Sequence, residues 1–285
     1  MESNVSDKTR TWLGIVSIPI IIYTLIPILW ILSLSLKSTA TLADGSFIPK
    51  EISWDNYRLI LTGDAQGLFL PALANSVVVC LVATFISVVL AMFAAYAIAR
   101  LEFPGKKLIL TTALAVSIFP VISLVTPLYN LWRAIHLFDT QVGLIIPYLS
   151  LTLPLAIWTL AAFFKQIPWE MEQAAQVDGA TSWQAFRKVI VPLASPGVFT
   201  TAIITFFTAW NDFVFAISLT SEHARTVPAA LAFFTGASQF TQPTGAIAAA
   251  AVLVTIPVVI LFRLFPGRLV SGPPSVSCKG AAHSW

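Results

Sequence analysis

Apolar residues along this chain run in long stretches that are broken by few polar positions. A helix needs about 20 apolar residues to cross the hydrocarbon core of a bilayer. Six stretches reach that length, namely residues 12–36, 71–99, 108–131, 142–164, 198–219 and 246–264. The pattern predicts an all-α integral membrane protein with six transmembrane helices. They form one domain over 12–264, between an N-terminal segment, 1–11, and a C-terminal tail, 265–285.

The composition supports a membrane protein and excludes several other classes. The chain has 285 residues, of which 57% are apolar and only 10% are charged, whereas soluble domains carry roughly 25% charged residues. The net charge of +3 is small, and the basic residues are scattered and form no patch interleaved with aromatics. No nucleic-acid partner is therefore expected. The chain has two cysteines, Cys80 in an apolar stretch and Cys278 in the tail, from which no disulfide framework or metal site follows.

The basic residues indicate how the chain is oriented in the membrane. Cytoplasmic loops of membrane proteins are enriched in Lys and Arg. If the N-terminus is placed in the cytoplasm, eleven of the sixteen basic residues fall on the inner side, at positions 8, 10, 100, 106, 107, 165, 187, 188, 263, 268 and 279. The bias predicts a multi-pass protein of the plasma (inner) membrane with both termini in the cytoplasm.

The inner loop 165–197 has clear signals for two helices joined by a turn. Pro168 suits the first turn of a helix, and the acidic residues Glu170 and Glu172 suit its positive end. Asp178-Gly179 then predicts a helix end, because glycine readily adopts the left-handed conformation. The small residues Ala174 and Ala175 on this helix would let another surface approach the backbone closely.

A second short helix is predicted to begin near Thr181, where Thr181 and Gln184 have the spacing of a capping box. Its apolar face would contain Trp183, Phe186, Val189 and Ile190, and Pro192 and Pro196 would end it. A rigid element of this kind, joined to two spans, could transmit force. An amphipathic hairpin that only anchors the loop at the membrane surface would have the same signals.

This loop resembles the EAA loop of ABC importer permeases, whose pattern is roughly E-x-A-A-x-x-D-G-A, followed by L-P or a close variant. The matching positions are Glu172, Ala174, Ala175, Asp178, Gly179, Ala180 and Val191-Pro192, and the departure is Gln173, where many members carry a second glutamate. Residues 75–76, 96–100 and 210–212 also resemble the MalG-type carbohydrate importers, and 101–106 and 234–240 resemble their trehalose-importing members.

The resemblance implies a function and a set of partners. It identifies the chain as a permease subunit of an ATP-binding cassette importer that moves a sugar, such as the disaccharide trehalose, by alternating access. The loop would be the coupling helix that docks on an ATPase, with Glu172 and Gly179 most sensitive to change. The implied partners are a second, MalF-like permease, two copies of an ATPase that binds ATP and Mg, and an extracellular sugar-binding lipoprotein. An α-glucoside or a glycerol phosphate ester stays open as the substrate.

Four polar or aromatic residues at membrane depth are candidates for the translocation path or its gate. Asp212 is ionisable, and such residues normally face a bundle interior or a water-filled path. With Trp210 and Asn211 it could bind sugar, or it could instead cap or bond a helix near the outer end of the fifth span. Asn75 could likewise line the path or join two helices through a hydrogen bond.

The outer loop 220–245 mixes flexible polar residues with aromatics, which suits contact with a partner or ligand. Its candidates are Phe234, Gly236, Ser238, Gln239 and Phe240. The resemblance implies that this loop reaches into the sugar-binding protein and helps to release the sugar. The alternative is a loop folded on the outer membrane surface.

Motifs for enzymatic chemistry are missing from the sequence. No GxxxxGK[ST] occurs, so the chain has no P-loop to bind ATP phosphates, and no HExxH, CxxC or serine-triad context is present. The chain is expected not to be an enzyme and to hold no metal or cofactor. An ion-coupled secondary transporter is the main rival, but it would predict inverted repeats and several intramembrane charges. An intramembrane enzyme would need paired catalytic groups at membrane depth.

Overall fold

A computed structural model describes residues 7–63, 65–234 and 243–264, and in those ranges every regular element is a helix. Four of these helices are long and apolar enough to cross a membrane, and two further pairs of bent helices qualify if each pair is one span. The prediction of an all-helical membrane protein is confirmed. The count of six spans stays a prediction.

The helices follow the apolar stretches closely. Their bounds in chain order are α1 (Asp7–Ser35), α2 (Asp55–Leu61), α3 (Gln66–Arg100), α4 (Lys106–Ser117), α5 (Ile122–Ala134), α6 (Gln141–Gln166), α7 (Trp169–Val177), α8 (Ser182–Ala185), a π-helical turn (Phe186–Ile190), α9 (Val191–Leu193), α10 (Ser195–Trp210), α11 (Val214–Leu219), α12 (Val227–Leu231) and α13 (Thr244–Leu264).

The third apolar stretch is a bent pair instead of one continuous helix. α4 and α5 meet at 91° across the break between Ser117 and Ile122. Pro120 lies in that break, and proline disfavours helical backbone at the residue before it, here Phe119. Proline also has no N–H to continue the hydrogen-bond ladder. The bend therefore has a local cause in the sequence.

The fifth apolar stretch is also interrupted. α10 ends at Trp210 and the short α11 begins at Val214, so residues 211–213 leave the helix at the position of Asp212. At its inner end α10 begins at Ser195, three residues before the predicted start at 198, and meets the preceding helical segment at 73°.

The chain divides into two compact units. The first contains the described residues up to Leu73 together with Ala230–Val258, and the second contains Ala74–Ala229 together with the described residues from Val259 on.

In the first unit, Lys37 is fully buried beyond the end of α1. Its Nζ lies 2.8 Å from Asp44 Oδ1 and donates to the Ser46 carbonyl at 2.6 Å. The Lys37 hydrogen bond, followed by those from Ser46, holds the pKa of the Asp44 carboxyl well below its ordinary value. A buried lysine is tolerated here because it is paired.

The second unit contains a core where α3, α6 and the π-helical turn meet. Ala91, Ala95 and Ala161 let the backbones approach closely, and Leu160, Phe164, Phe186 and Ile190 fill the space around them. Small residues have this role in membrane helix packing, where lipid supplies no hydrophobic drive between helices. The core holds the inner loop against the ends of two long helices.

Candidate functional site

The inner loop folds as two short helices around a glycine turn, as its sequence predicts. α7 begins after Pro168, carries Glu170 and Glu172 in its first turn and ends at Val177. Thr181 caps α8: its side chain accepts from the Gln184 N–H at 3.3 Å, and the Gln184 side chain accepts from the Thr181 N–H at 2.9 Å. We call residues 169–193, the part of the loop predicted to contact an ATPase, the coupling segment.

Gly179 makes the turn between the two helices with a φ of +88°. The Gly179 N–H donates to the Gln176 carbonyl at 3.0 Å, and the Ala180 N–H donates to the Ala175 carbonyl at 2.9 Å. These two bonds form a Schellman motif, in which glycine supplies the left-handed residue after the helix end. The angle between α7 and α8 therefore depends on backbone geometry at one residue.

The residues predicted to contact an ATPase do not all point the same way. Ala174, Asp178, Gly179 and Pro192 are exposed, while Ala175 and Ala180 are half-buried. Glu172 differs from all of them, because it is buried with 2% of its surface exposed. The structure thus brings most of the predicted residues to an accessible surface and turns one of them inward.

The second helix extends through the π-helical turn and α9 and ends at Leu193, between the two prolines predicted to end it, and α10 then begins at a 73° angle. Both prolines lie in the first turn of a helical segment, Pro192 in α9 and Pro196 in α10. Proline is tolerated there because its missing N–H is not needed. The π-helical turn precedes Pro192, with the Val191 N–H bonded to the Phe186 carbonyl five residues back.

The predicted apolar face of the second helix packs against the end of α3. Phe186 and Ile190 are buried, whereas Trp183 is exposed. The Phe186 ring lies 4.8 Å from the Tyr96 ring, and the Trp183 ring lies 6.1 Å from the Phe93 ring, both between centroids. Aromatic pairs at such distances add packing energy beyond their buried area.

Asn75, a predicted path residue, is occupied by hydrogen bonds to an outer segment. Its side-chain N–H₂ donates to the carbonyls of His223 at 2.7 Å and Arg225 at 3.1 Å, and its oxygen accepts from Gln141 Nε2 at 2.8 Å. The neighbouring Ser76 hydroxyl accepts from the Val227 N–H at 2.8 Å. Together these contacts fix residues 223–227 to α3.

The other three predicted path residues lie at the break between α10 and α11. Trp210 is buried and stacks on Phe206, with 5.1 Å between ring centroids. Asn211 is exposed and donates to the Phe207 carbonyl at 2.9 Å. Asp212 accepts from the Ala216 N–H at 3.1 Å in the first turn of α11. Asn211 and Asp212 thus bond to their own local backbone, whereas Asn75 bonds to a distant segment.

Asp139 forms a site that the sequence pattern does not reveal. Its carboxylate accepts four backbone N–H groups, from Ser221 at 2.8 Å, Glu222 at 3.0 Å, His223 at 3.1 Å and Ala224 at 3.1 Å. Partial burial acts to raise the pKa of this carboxyl, but the backbone donors together hold the pKa below its ordinary value. We call this arrangement the outer clasp. A φ of +57° at Asp139, which Asp tolerates better than most residues, aims the carboxylate at the segment.

Removing the Asp139 charge is expected to lower thermal stability. Asp139→Asn leaves a neutral acceptor with one oxygen for four donors, which costs ~1–2 kcal/mol and lowers Tm by ~3–6 °C at pH 7. A depressed pKa stabilises the fold above the pKa of the unfolded state, about 3.9, and that stability is lost as pH falls through the folded pKa. The difference in Tm between the unaltered protein and Asp139→Asn, measured in detergent, should therefore narrow below about pH 4. Glu222→Gln, in the same segment, is the control, and an equal loss there would contradict the role of the clasp.

Only part of the predicted outer loop is described. Phe234 is half-buried, and its N–H donates to the Leu231 carbonyl at 3.3 Å. Gly236, Ser238, Gln239 and Phe240 lie outside the described residues.

The sequence matches one protein family over most of its length. Residues 87–271 match the family described as binding-protein-dependent transport system inner membrane component. The chain is 54% identical to the trehalose transport system permease protein SugB of Mycobacterium tuberculosis, over 96% of this chain and 99% of that protein. It is 36% identical to the trehalose/maltose transport system permease protein MalG of Thermococcus litoralis, over 95% and 97%.

A solved structure confirms the fold. A chain of a bacterial ABC transporter involved in the import of alginate superposes with a TM-score of 0.74, over 92% of this chain and 97% of that one, at 22% identity. The MalG-type resemblance of the sequence and the expectation of a transport subunit are confirmed by the family match. The chain belongs to the family of binding-protein-dependent transport system inner membrane components, the permeases of ABC importers, and it is a transport subunit and not an enzyme.

Proposed function

We propose that this permease imports trehalose or a closely related disaccharide by alternating access. The observation that carries the substrate is the 54% identity to SugB across nearly the whole of both chains. A relative named for trehalose and maltose points to the same class of sugar. Another relative, 39% identical, is the sulfoquinovosyl glycerol permease SmoH of Agrobacterium fabrum, so the substrate needs a direct test.

The coupling segment would receive the motion of the ATPase. Ala174, Asp178 and Gly179 lie on its accessible surface, and the small side chain of Ala174 and the absence of one at Gly179 let a partner reach the backbone. ATP and Mg would be bound by two copies of a separate ATPase, since this sequence has no P-loop. Closure of the ATPase pair would move the coupling segment, and α6 and α10, which flank it in the chain, would move with it.

Six spans with both termini in the cytoplasm would place the coupling segment on the side of the membrane where the ATPase is expected. The basic residues support this topology, because Arg100, Lys106, Lys165, Arg187 and Lys188 all fall on the inner side. A second permease subunit would complete the path, because six spans make only half of the usual twelve-span pathway.

The outer end of the protein would receive sugar from an extracellular binding protein. The outer clasp and Asn75 hold residues 221–227, which precede the outer-loop candidates in the chain. Phe234, Gly236, Ser238, Gln239 and Phe240 are proposed to contact the binding protein or help to release the sugar. Asn211, exposed beside Trp210 and Asp212, is the residue of that group best placed to meet a passing hydroxyl.

Uptake by the reconstituted complex tests this function. Vesicles containing both permeases and the ATPase, with the binding protein added outside, should accumulate labelled trehalose when ATP is inside and no ion gradient is present. An excess of unlabelled trehalose should abolish the signal, and an equal excess of glycerol phosphate esters should not. Uptake that continues with a P-loop-dead ATPase, and that requires an imposed ion gradient, would contradict the proposal and favour an ion-coupled transporter.

A further inference from the structure

Glu172 is on the coupling segment but faces the interior of the protein. Its neighbours Glu170 and Gln173 are exposed, whereas Glu172 is 2% exposed. A partner protein cannot reach a side chain so enclosed while α7 keeps its place. The residue with the clearest match to the family motif therefore needs a role other than surface contact.

Two residues of α3 hold the Glu172 carboxylate. The Tyr96 hydroxyl donates a hydrogen bond to Oε1, and Arg100 Nε lies 3.4 Å from Oε2. Both charged side chains are almost fully buried. A charge is retained in such a place only when it is paired, so the three side chains depend on one another.

Arg100 also contacts the chain on either side of Pro168. Its guanidinium donates to the Ile167 carbonyl at 2.9 Å and lies over the Trp169 ring, 5.2 Å from the centroid. One side chain thus binds the residue after α6, the first residue of α7 and the carboxylate one turn later. The junction between α6 and α7 is fixed from α3.

The contacts come from one face of the last turns of α3. Phe93, Tyr96 and Arg100 are spaced three and four residues apart, which places them on one side of a helix. Phe93 and Tyr96 also pack on α8 and the π-helical turn through Trp183 and Phe186. α3 is far from the coupling segment in sequence, so these side chains, together with the core that contains Ala91 and Ala95, link the two.

We infer that Tyr96, Arg100 and Glu172 form a joint that locks α7 to α3, and that Glu172 is a positioning residue and not part of the ATPase contact. The inference rests on the proposed role of the coupling segment. The joint makes α3 move with α7, in addition to α6 and α10, which are joined to the segment through the backbone. Motion of the ATPase is thereby delivered to three long helices.

The test is Glu172→Gln in the complete complex, because glutamine keeps the shape and removes the charge. Glu172→Lys is less informative, since it would place a second buried cation beside Arg100. We expect the ATPase to co-purify in normal amount and to bind with unchanged affinity. Trehalose moved per ATP hydrolysed should fall about tenfold, the scale of a typical coupling between sites. Glu51→Gln, the same change at an exposed position outside the coupling segment, should leave both quantities unchanged.

Further variants separate a joint from a simple loss of folding. Tyr96→Phe removes only a hydroxyl and should lower the transport-to-ATP ratio in the same direction. Arg100→Gln combined with Glu172→Gln should be no worse than either single variant, because residues of one network are not additive. If Glu172→Gln does not fold, the transport-to-ATP ratio of Tyr96→Phe tests the inference instead.

Two results would overturn the inference. Weaker ATPase binding with an unchanged transport-to-ATP ratio would make Glu172 a docking residue, and no change in either quantity would leave it without a coupling role. Neither result would touch the proposed function. That function would fail differently, through ATP-independent uptake by the unaltered complex.

Discussion

Gly179→Pro is expected to abolish sugar uptake while the protein still inserts and pairs with its partner permease. Gly179 has a φ of +88°, and proline fixes φ near −65°. Proline also removes the N–H that donates to the Gln176 carbonyl at 3.0 Å. The turn between α7 and α8 must then change, and the surface proposed to dock on the ATPase changes with it. Uptake in vesicles, measured beside the amount of assembled complex, gives the result.

Other substitutions at Gly179 separate backbone conformation from side-chain bulk. Nothing lies within 4 Å of the position where a Cβ would be, so a side chain meets no obstacle. Gly179→Asn should retain most transport because Asn tolerates the left-handed region, and Gly179→Ala, with a strain of ~1–2 kcal/mol, should fall between Asn and Pro. Normal uptake by Gly179→Pro would show that the segment is only an anchor.

Gly143→Ala is expected to cost ~3–5 kcal/mol of stability and to reduce the yield of folded protein sharply. A Cβ at this position would lie 2.1 Å from the Leu137 carbonyl oxygen, a backbone atom that no rotamer change can move. Moving residue 143 away from that oxygen would also strain the hydrogen bond of 2.6 Å that buried Trp132 Nε1 donates to the Gly143 carbonyl. The start of α6 and the loop that carries Asp139 would both be displaced.

Gly67→Ala is the matched control for Gly143→Ala. Gly67 also lies in the first turn of a long helix, but nothing lies within 4 Å of its Cβ position. Alanine there should be neutral or stabilising by up to about 1 kcal/mol, from helix propensity alone. Thermal denaturation of the two variants in the same detergent makes the comparison. A similar Tm for both would contradict the close approach at Gly143.

The parts of the fold that the sequence predicts are those with local causes. Apolar length locates the long helices, Thr181 and Gln184 define a capping box, and Gly179 defines the turn, because each signal acts within a few residues. The break at Pro120 has an equally local cause, but the sequence alone does not predict it, because prolines within a membrane span are often tolerated.

The roles of single polar residues could not be predicted in this way. Glu172 is part of a clear motif, yet its burial depends on Tyr96 and Arg100, more than 70 residues away. Asp139 binds the backbone of residues 221–224, and backbone donors leave no pattern in a sequence. Such contacts are set by tertiary packing, which local periodicity and helix signals do not predict.

We propose that an ATPase docks on the exposed face of the coupling segment. A photo-crosslinking residue placed at Ala174, on that face, tests this docking most directly, with a second at exposed Phe85 on α3, outside the segment, as the control. In the complete complex the Ala174 position should become linked to the ATPase subunit, and the Phe85 position should not. Efficient crosslinks from position 174 to lipid alone, in a complex that still imports trehalose, would contradict the claim.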